Sequence, residues 1–173
     1  MDLSEVTVSG YDKNVKGTQT IELSYKDAIA EITVKVLAPD TEAPIQVVFQ
    51  LMGDKKHGED GTVHTLHDGS LTSWVSGTVF TVSANSTVWD VLKLAEKQYG
   101  FKVLSRDTQY GVYVYGIEYQ GTSLGEFDNG ANSGWMATVN GEYLQVNLAE
   151  QYLNENDIVI MHYTDDYTQE KDK

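Results

Sequence analysis

Four histidines carry most of the chemistry available to this chain of 173 residues. His57, His64 and His67 fall within eleven residues, beside Glu59, Asp60 and Asp68, and His162 stands shortly before Asp165 and Asp166. Imidazole nitrogens together with carboxylate oxygens suit a divalent first-row metal. His57, His64, His67, His162, Asp165 and Asp166 therefore form a candidate ligand set. On an extended strand His64 and His67 point to opposite faces, so one ion takes both only if the segment turns. The plain alternative is four solvated histidines in polar loops.

A second candidate is the stretch Ser133-Gly134-Trp135-Met136, which opens a short strand ending at Asn140-Gly141. Asn-Gly is a strong hairpin signal, because both central residues of a type I′ turn need positive φ. A large indole beside two glycines suggests something packed close against the backbone, which makes Ser133, Gly134, Trp135 and Met136 candidates for binding a ligand. A core tryptophan beside a tight turn accounts for the same residues.

Two further motifs carry less. Gly121-Thr122-Ser123-Leu124-Gly125 fits the G-x-S-x-G pattern, but that motif works only on a strand–turn–helix, and Glu126-Phe127-Asp128-Asn129-Gly130 cannot continue as a helix. Asp128-Asn129-Gly130-Ala131-Asn132 resembles part of a calcium loop without its full twelve-residue pattern or terminal glutamate. Turn chemistry explains both. No nucleophile, base and orienting group can be assembled, so the chain reads as a non-enzyme.

The formal charge of −14, with Arg106 the single arginine, disfavours nucleic acid and anionic membranes and favours a cation. With no cysteine, thiolate chemistry, disulfides and iron–sulfur clusters are excluded. No apolar run approaches the roughly 18 residues of a membrane span, so no membrane insertion is expected. Met1-Asp2-Leu3-Ser4-Glu5 has no signal-peptide character and reads as the start of a fragment excised from a longer chain.

The elements that must position these residues are mostly strands. Residues 1–38 alternate as strands only, with a hairpin candidate at Lys26-Asp27-Ala28. Pro39 and Pro44 bracket a linker. Beyond it come an apolar strand from Ile45 to Met52, a bent strand or strand pair over Trp74–Val82, and one convincing helix. Thr87 and Asp90 start that helix as a capping box, and Gly100 stops it. Extended segments follow at Phe101–Leu104 and Tyr110–Tyr119. A helical turn is read over Leu148–Leu153, a final apolar strand over Asp157–Tyr163, and an acidic polar tail over Asp165–Lys173.

Two resemblances organise this reading. Val8-Ser9-Gly10-Tyr11-Asp12, Gly17 to Ile21, Ser24-Tyr25-Lys26 and Ile32 to Val36 resemble the second half of a bacterial immunoglobulin-like domain. The resemblance implies a secreted or surface-anchored protein of a Gram-positive bacterium, cut within that domain, whose truncated strands could pair with a neighbour. From Ile45 onward, Ser86-Thr87-Val88-Trp89-Asp90-Val91-Leu92, Tyr115-Gly116-Ile117, Ser133-Gly134-Trp135-Met136 with Val139-Asn140-Gly141, and Leu153-Asn154-Glu155-Asn156-Asp157-Ile158-Val159 resemble the transcobalamin-like C-terminal β-grasp family. Asn156 stands where that family usually has glycine.

The implied fold is α+β: a ubiquitin-like β-grasp sheet with one main helix over residues 45–170, a linker at 39–44, and an all-β immunoglobulin-like fragment over 1–38. In vertebrate cobalamin carriers the domain closes over the corrin against a helical barrel, which this chain lacks. Bacterial relatives carry Gly53-Asp54 followed by a histidine such as His57, a histidine near His64, and His162-Tyr163-Thr164-Asp165-Asp166-Tyr167. This strengthens the metal reading and implies that the ends of the first and last strands of the domain lie side by side. The expectation is a non-catalytic extracellular binding module for a divalent metal. The alternatives are a corrinoid or other flat ligand on the Ser133–Met136 hairpin, cobalamin being the less favoured cofactor, and a structural or adhesive stalk.

Overall fold

The structure is a computed structural model that describes residues 5–37, 43–55 and 62–170. The chain divides into two compact units, Met1–Glu42 and Ala43–Lys173. The first unit is an antiparallel three-stranded sheet of β1 (Thr7–Ser9), β2 (Gly17–Tyr25) and β3 (Ala28–Val36), in the order β1-β2-β3. Lys26, at φ +53°, makes the β2–β3 turn. Ile21 is the buried hydrophobic residue among the described residues of this unit. A sheet of this size has one thin layer and little apolar area to hide.

The second unit is built around a five-stranded sheet. Its members are β4 (Ile45–Gly53), β5 (Thr72–Val82), β9 (Gly134–Val139), β10 (Glu142–Tyr143) and β11 (Ile158–Thr164), in the order β10-β9-β11-β4-β5. A smaller antiparallel sheet contains β6 (Lys102–Thr108), β7 (Gly111–Tyr119) and β8 (Thr122–Gly125). Helix α1 (Val88–Tyr99) and the single-turn helix α2 (Tyr167–Glu170) complete the unit. The segment Trp74–Val82 is one continuous strand, with register irregularities against β4 between Phe49 and Met52. That bend is why its periodicity reads ambiguously.

At the sheet's centre β11 runs parallel to β4, with Val159 opposite Phe49 and Met161 opposite Leu51. Phe49, Leu51, Val159 and Tyr163 are all fully buried on one face. Helix α1 lies over this face, where Tyr99 and Thr78 hydroxyls meet at 2.7 Å. The helix starts as read: Thr87 Oγ1 accepts from Asp90 N–H and Asp90 accepts from Thr87 N–H. Val88, Val91, Leu92 and Ala95 face the core, and Gly100 closes the helix in the left-handed region. Asn140 and Gly141 both take positive φ in the β9–β10 turn. Asn140 also locks the turn to β11, donating to Asp157 and accepting from Ile158 N–H.

An aromatic row fixes the end of the sheet that carries Gly53. Trp135 packs edge-on against Tyr163, and Trp74 lies between Trp135 and Tyr119, with ring centroids 5.4 to 5.8 Å apart. The Trp135 indole N–H donates to Leu124 carbonyl at 2.9 Å, and the Tyr163 hydroxyl donates to Gly125 carbonyl at 2.8 Å. Trp74 rests so closely on Gly53 that a Cβ there would lie 1.9 Å from the indole. The ring is held by its neighbours and cannot swing aside without disturbing the row. Gly53→Ala is therefore expected to destabilise the second unit by about 1–3 kcal/mol, as overpacking does, measured by urea unfolding against wild type. An unchanged midpoint would mean that Trp74 is free to move.

Candidate metal centre

Because β4 and β11 are parallel, their C-terminal ends emerge together. Asp54 follows β4 and Asp165 follows β11. The loop preceding β5 brings His64 to the same place. Asp54, His64 and Asp165 each offer a ligand atom, and the three atoms lie within 4.8 Å of one another. His64 Nδ1 is 2.9 Å from both Asp54 carboxylate oxygens and 4.0 Å from Asp165 Oδ2. Metal–ligand bonds of about 2.0–2.2 Å set donor atoms roughly 3–4 Å apart around a first-row ion, so the spacing is of the right size.

The two carboxylates are buried, at 4% and 5% exposure, and His64 is half-buried. Their surroundings are polar. Asn129 Nδ2 donates to Asp165 Oδ1 at 2.8 Å and to the Lys55 carbonyl at 3.1 Å, and lies 3.4 Å from Asp54 Oδ2. Asp54 also accepts from Lys55 N–H, and Asp165 Oδ2 from His64 N–H, each at 2.6 Å. Burial works against a charged His64, but the hydrogen bond to Asp54 and the charges of Asp54, Asp165 and Asp68 outweigh it and raise its pKa above the usual histidine value. The anionic pocket attracts a proton in the place where it would attract a cation.

The candidate residues are distributed as follows. His64 and Asp165 come together, joined by Asp54. His57, with Glu59 and Asp60, lies outside the described residues. Asp166 is turned away: its carboxylate accepts from Thr168 and Gln169 and starts α2, which lowers its pKa. Asp68 is likewise engaged in its own turn with Ser70 and Thr65. His67 is exposed, and its Nε2 lies 3.3 Å from the Tyr143 hydroxyl. His162 is fully buried on the opposite face of the sheet from Tyr163, beside Glu170 of α2.

Ser133 is buried, accepting from Asn129 N–H and donating to Gly130 carbonyl. Gly134 and Trp135 belong to the aromatic end of β9, and Met136 points to the His162 face as the register partner of His162. Ser123 sits on β8 and is exposed, with no helix after it. A groove of about 340 Å³ beside the β9–β10 hairpin is lined by Tyr113, Trp135, Met136, Leu144 and Met161 among others.

Residues 85–165 match the family described as Domain of unknown function (DUF4430). Among solved structures the chain is similar to haptocorrin in complex with Cbi, with 16% identity and a TM-score of 0.50, over 73% of this chain and 26% of haptocorrin. The chain thus spans about a quarter of haptocorrin's length, and at this identity the likeness concerns the fold. It is also similar to a protein from Ruminococcus gnavus ATCC 29149 provisionally described as metal binding. That match has 15% identity and a TM-score of 0.41, over 70% of this chain and 96% of that one, too distant to carry an argument. No curated protein matches the chain.

Asp54 was not among the residues singled out by histidine spacing, although the Gly53-Asp54 pair stands at the end of the apolar strand. Asn129 sat in a stretch read as a turn. Glu170 lay in a segment read as a polar tail, yet it is fully buried. Glu170 Oε1 accepts from Leu66 N–H at 2.9 Å, and Oε2 accepts from the Tyr143 hydroxyl at 2.6 Å. His162 Nε2 lies 3.5 Å from Oε1, a close polar approach rather than a well-formed hydrogen bond.

Burial opposes a charged Glu170, but these partners more than compensate and hold its carboxyl at about 2. A depressed carboxyl stabilises the fold above its unfolded value and loses that contribution as pH falls toward the folded value. The window here runs from about pH 4.5 down to about 2. Glu170→Gln is expected to cost on the order of 3 kcal/mol near neutrality. The gap from wild type should close as the pH falls through that window, read from urea melts at stepped pH. A gap independent of pH would mean that the carboxylate charge is not what holds Glu170 in place.

Proposed function

We propose that residues 45–170 form a non-catalytic binding module for a divalent first-row metal ion, held by Asp54, His64 and Asp165. The observation that carries this is the convergence of two buried carboxylates and an imidazole from three separated segments at one end of a sheet. Two buried like charges repel unless something positive lies between them. A proton on His64 supplies one charge, and a divalent ion would supply two while meeting the lone pairs of all three groups. The Asn129 amide is within reach to turn its oxygen toward the same ion.

The order β10-β9-β11-β4-β5, with a parallel central pair and α1 on one face, supports a ubiquitin-like β-grasp reading of this unit. The small sheet of the first unit suits a fragment of an immunoglobulin-like domain. Extracellular, surface-anchored placement follows from that reading and not from any anchor in the described residues. No helix among the described residues is long and apolar enough to cross a membrane.

A second reading has its own observation. The groove beside the β9–β10 hairpin, with Tyr113, Trp135 and Tyr143 among its lining residues, offers a flat ligand an aromatic-rich surface. A corrinoid is the natural probe, and cobalamin titrated to high micromolar concentration would have to change tryptophan fluorescence. A flat titration removes this reading and leaves a metal module or a stalk.

For the metal, isothermal titration of chelator-treated protein with zinc or manganese ion is expected to give one site and to raise the melting temperature. Asp54→Asn should weaken binding by tenfold or more. Because a raised His64 pKa strengthens the proton's competition for the ligand nitrogen, affinity should fall as the pH is lowered. Equal melts with metal and with chelator would overturn the metal assignment.

A further inference from the structure

The loop that supplies His64 and the segment that supplies Asp165 are joined directly to each other. Asp165 N–H donates to the His64 carbonyl at 3.0 Å, while His64 N–H donates to the Asp165 carboxylate. Two residues further along the loop, Leu66 N–H donates to Glu170. The C-terminal segment is also tied by Tyr167 N–H to the Asn132 carbonyl. Residues 62–71 and 165–170 thus form one cover of a loop and a short helix, stitched at the His64–Asp165 end and at a Glu170 end.

The surface under and beside this cover is unusual. The described side-chain polar atoms that are buried without a hydrogen-bond partner are His162 Nδ1, His162 Nε2 and Thr138 Oγ1. Thr138 pairs with Ile160 and Met136 with His162, so Thr138 and His162 lie on the same face of β9 and β11. Tyr143, from β10, reaches over that face to Glu170. The cover leaves Thr138 Oγ1 and His162 Nδ1 without a partner and brings only the 3.5 Å approach of Glu170 Oε1 to His162 Nε2, which makes the closed state less favourable than an apolar cap would be. Opening it returns those atoms to water.

We propose that the metal site is the clasp of this cover: the ion, by joining His64 and Asp165 to Asp54, closes loop 62–71 and helix α2 over the His162–Thr138 face. The proposal rests on the metal reading and adds regulation to it. An ion that binds all three ligands binds the closed arrangement better than the open one, so it shifts the population by that difference. Linkage makes the coupling reciprocal. Weakening the Glu170 end, which touches no ligand side chain, must then weaken metal binding.

The test is hydrogen exchange by mass spectrometry on the full chain, with chelator and with zinc or manganese ion, together with titration of two variants. Metal is expected to slow exchange about tenfold or more at residues 66–71 and 167–170 of wild type, and not in Asp54→Asn. Glu170→Gln should lower metal affinity threefold to tenfold. Tyr143→Phe keeps the ring and removes only the hydroxyl's contacts to Glu170 and His67, so it should lower affinity less while remaining folded. One-site metal binding with unchanged exchange at 167–170 and wild-type affinity in Tyr143→Phe would overturn the coupling and leave the metal site standing. Absence of metal binding to wild type would overturn both.

Discussion

The parallel pairing of β4 with β11 is the constraint on which the second unit depends. Chain segments more than a hundred residues apart are brought side by side in the middle of the sheet, with Phe49, Leu51, Val159 and Tyr163 excluded from water on one face. Parallel neighbours end at the same edge, so the residues just after them, Asp54 and Asp165, must share a location whatever their chemistry. Carboxylates at both exits make that edge anionic. The meeting of the two aspartates follows from strand direction, because an antiparallel pair would have sent them to opposite ends of the sheet.

The aromatic row holds that edge in place. Trp74 sits flat on Gly53, the residue before Asp54, and Trp135 and Tyr163 flank the end of β11 that leads to Asp165. These rings do two jobs at once. They bury apolar area, and through the Trp135 and Tyr163 donors they bind the five-stranded sheet to β8. The tryptophan that stood out in the sequence therefore packs against the support of the site, with one border left on the hairpin groove.

Helix α1, the Asn140-Gly141 hairpin and the first and last strands of the second unit were legible in the sequence, because capping, turn and apolar patterns are local. The site was legible in part. His64 and Asp165 carry recognisable ligand chemistry, and the resemblance implied that their strand ends meet. Asp54 stood in the family pattern but not in the ligand set, because one aspartate after an apolar strand has no local signature, and its meaning comes from β11. His162 lies apart from the triad for a simpler reason: a side-chain period of two sends it to the far face, while Asp165 lies beyond the strand's end and is free of that alternation. Glu170 escaped because four residues of helix have no periodicity to detect.

The acidity of the chain bears differently on these two buried groups of charge. At −14, surface carboxylates mainly repel one another through water and salt, which screens them within about 10 Å. Asp54 and Asp165 are not screened in this way, and their repulsion has to be met by neighbours at contact distance: His64, Asn129 and backbone N–H groups. Glu170 meets the same demand with Tyr143, Leu66 N–H and His162. Both solutions draw a partner from the single loop 62–71, so neither carboxylate cluster can lose its partners there without disturbing the other. That shared dependence makes the loop and α2 one physical unit, and a ligand that acts on either cluster acts on both.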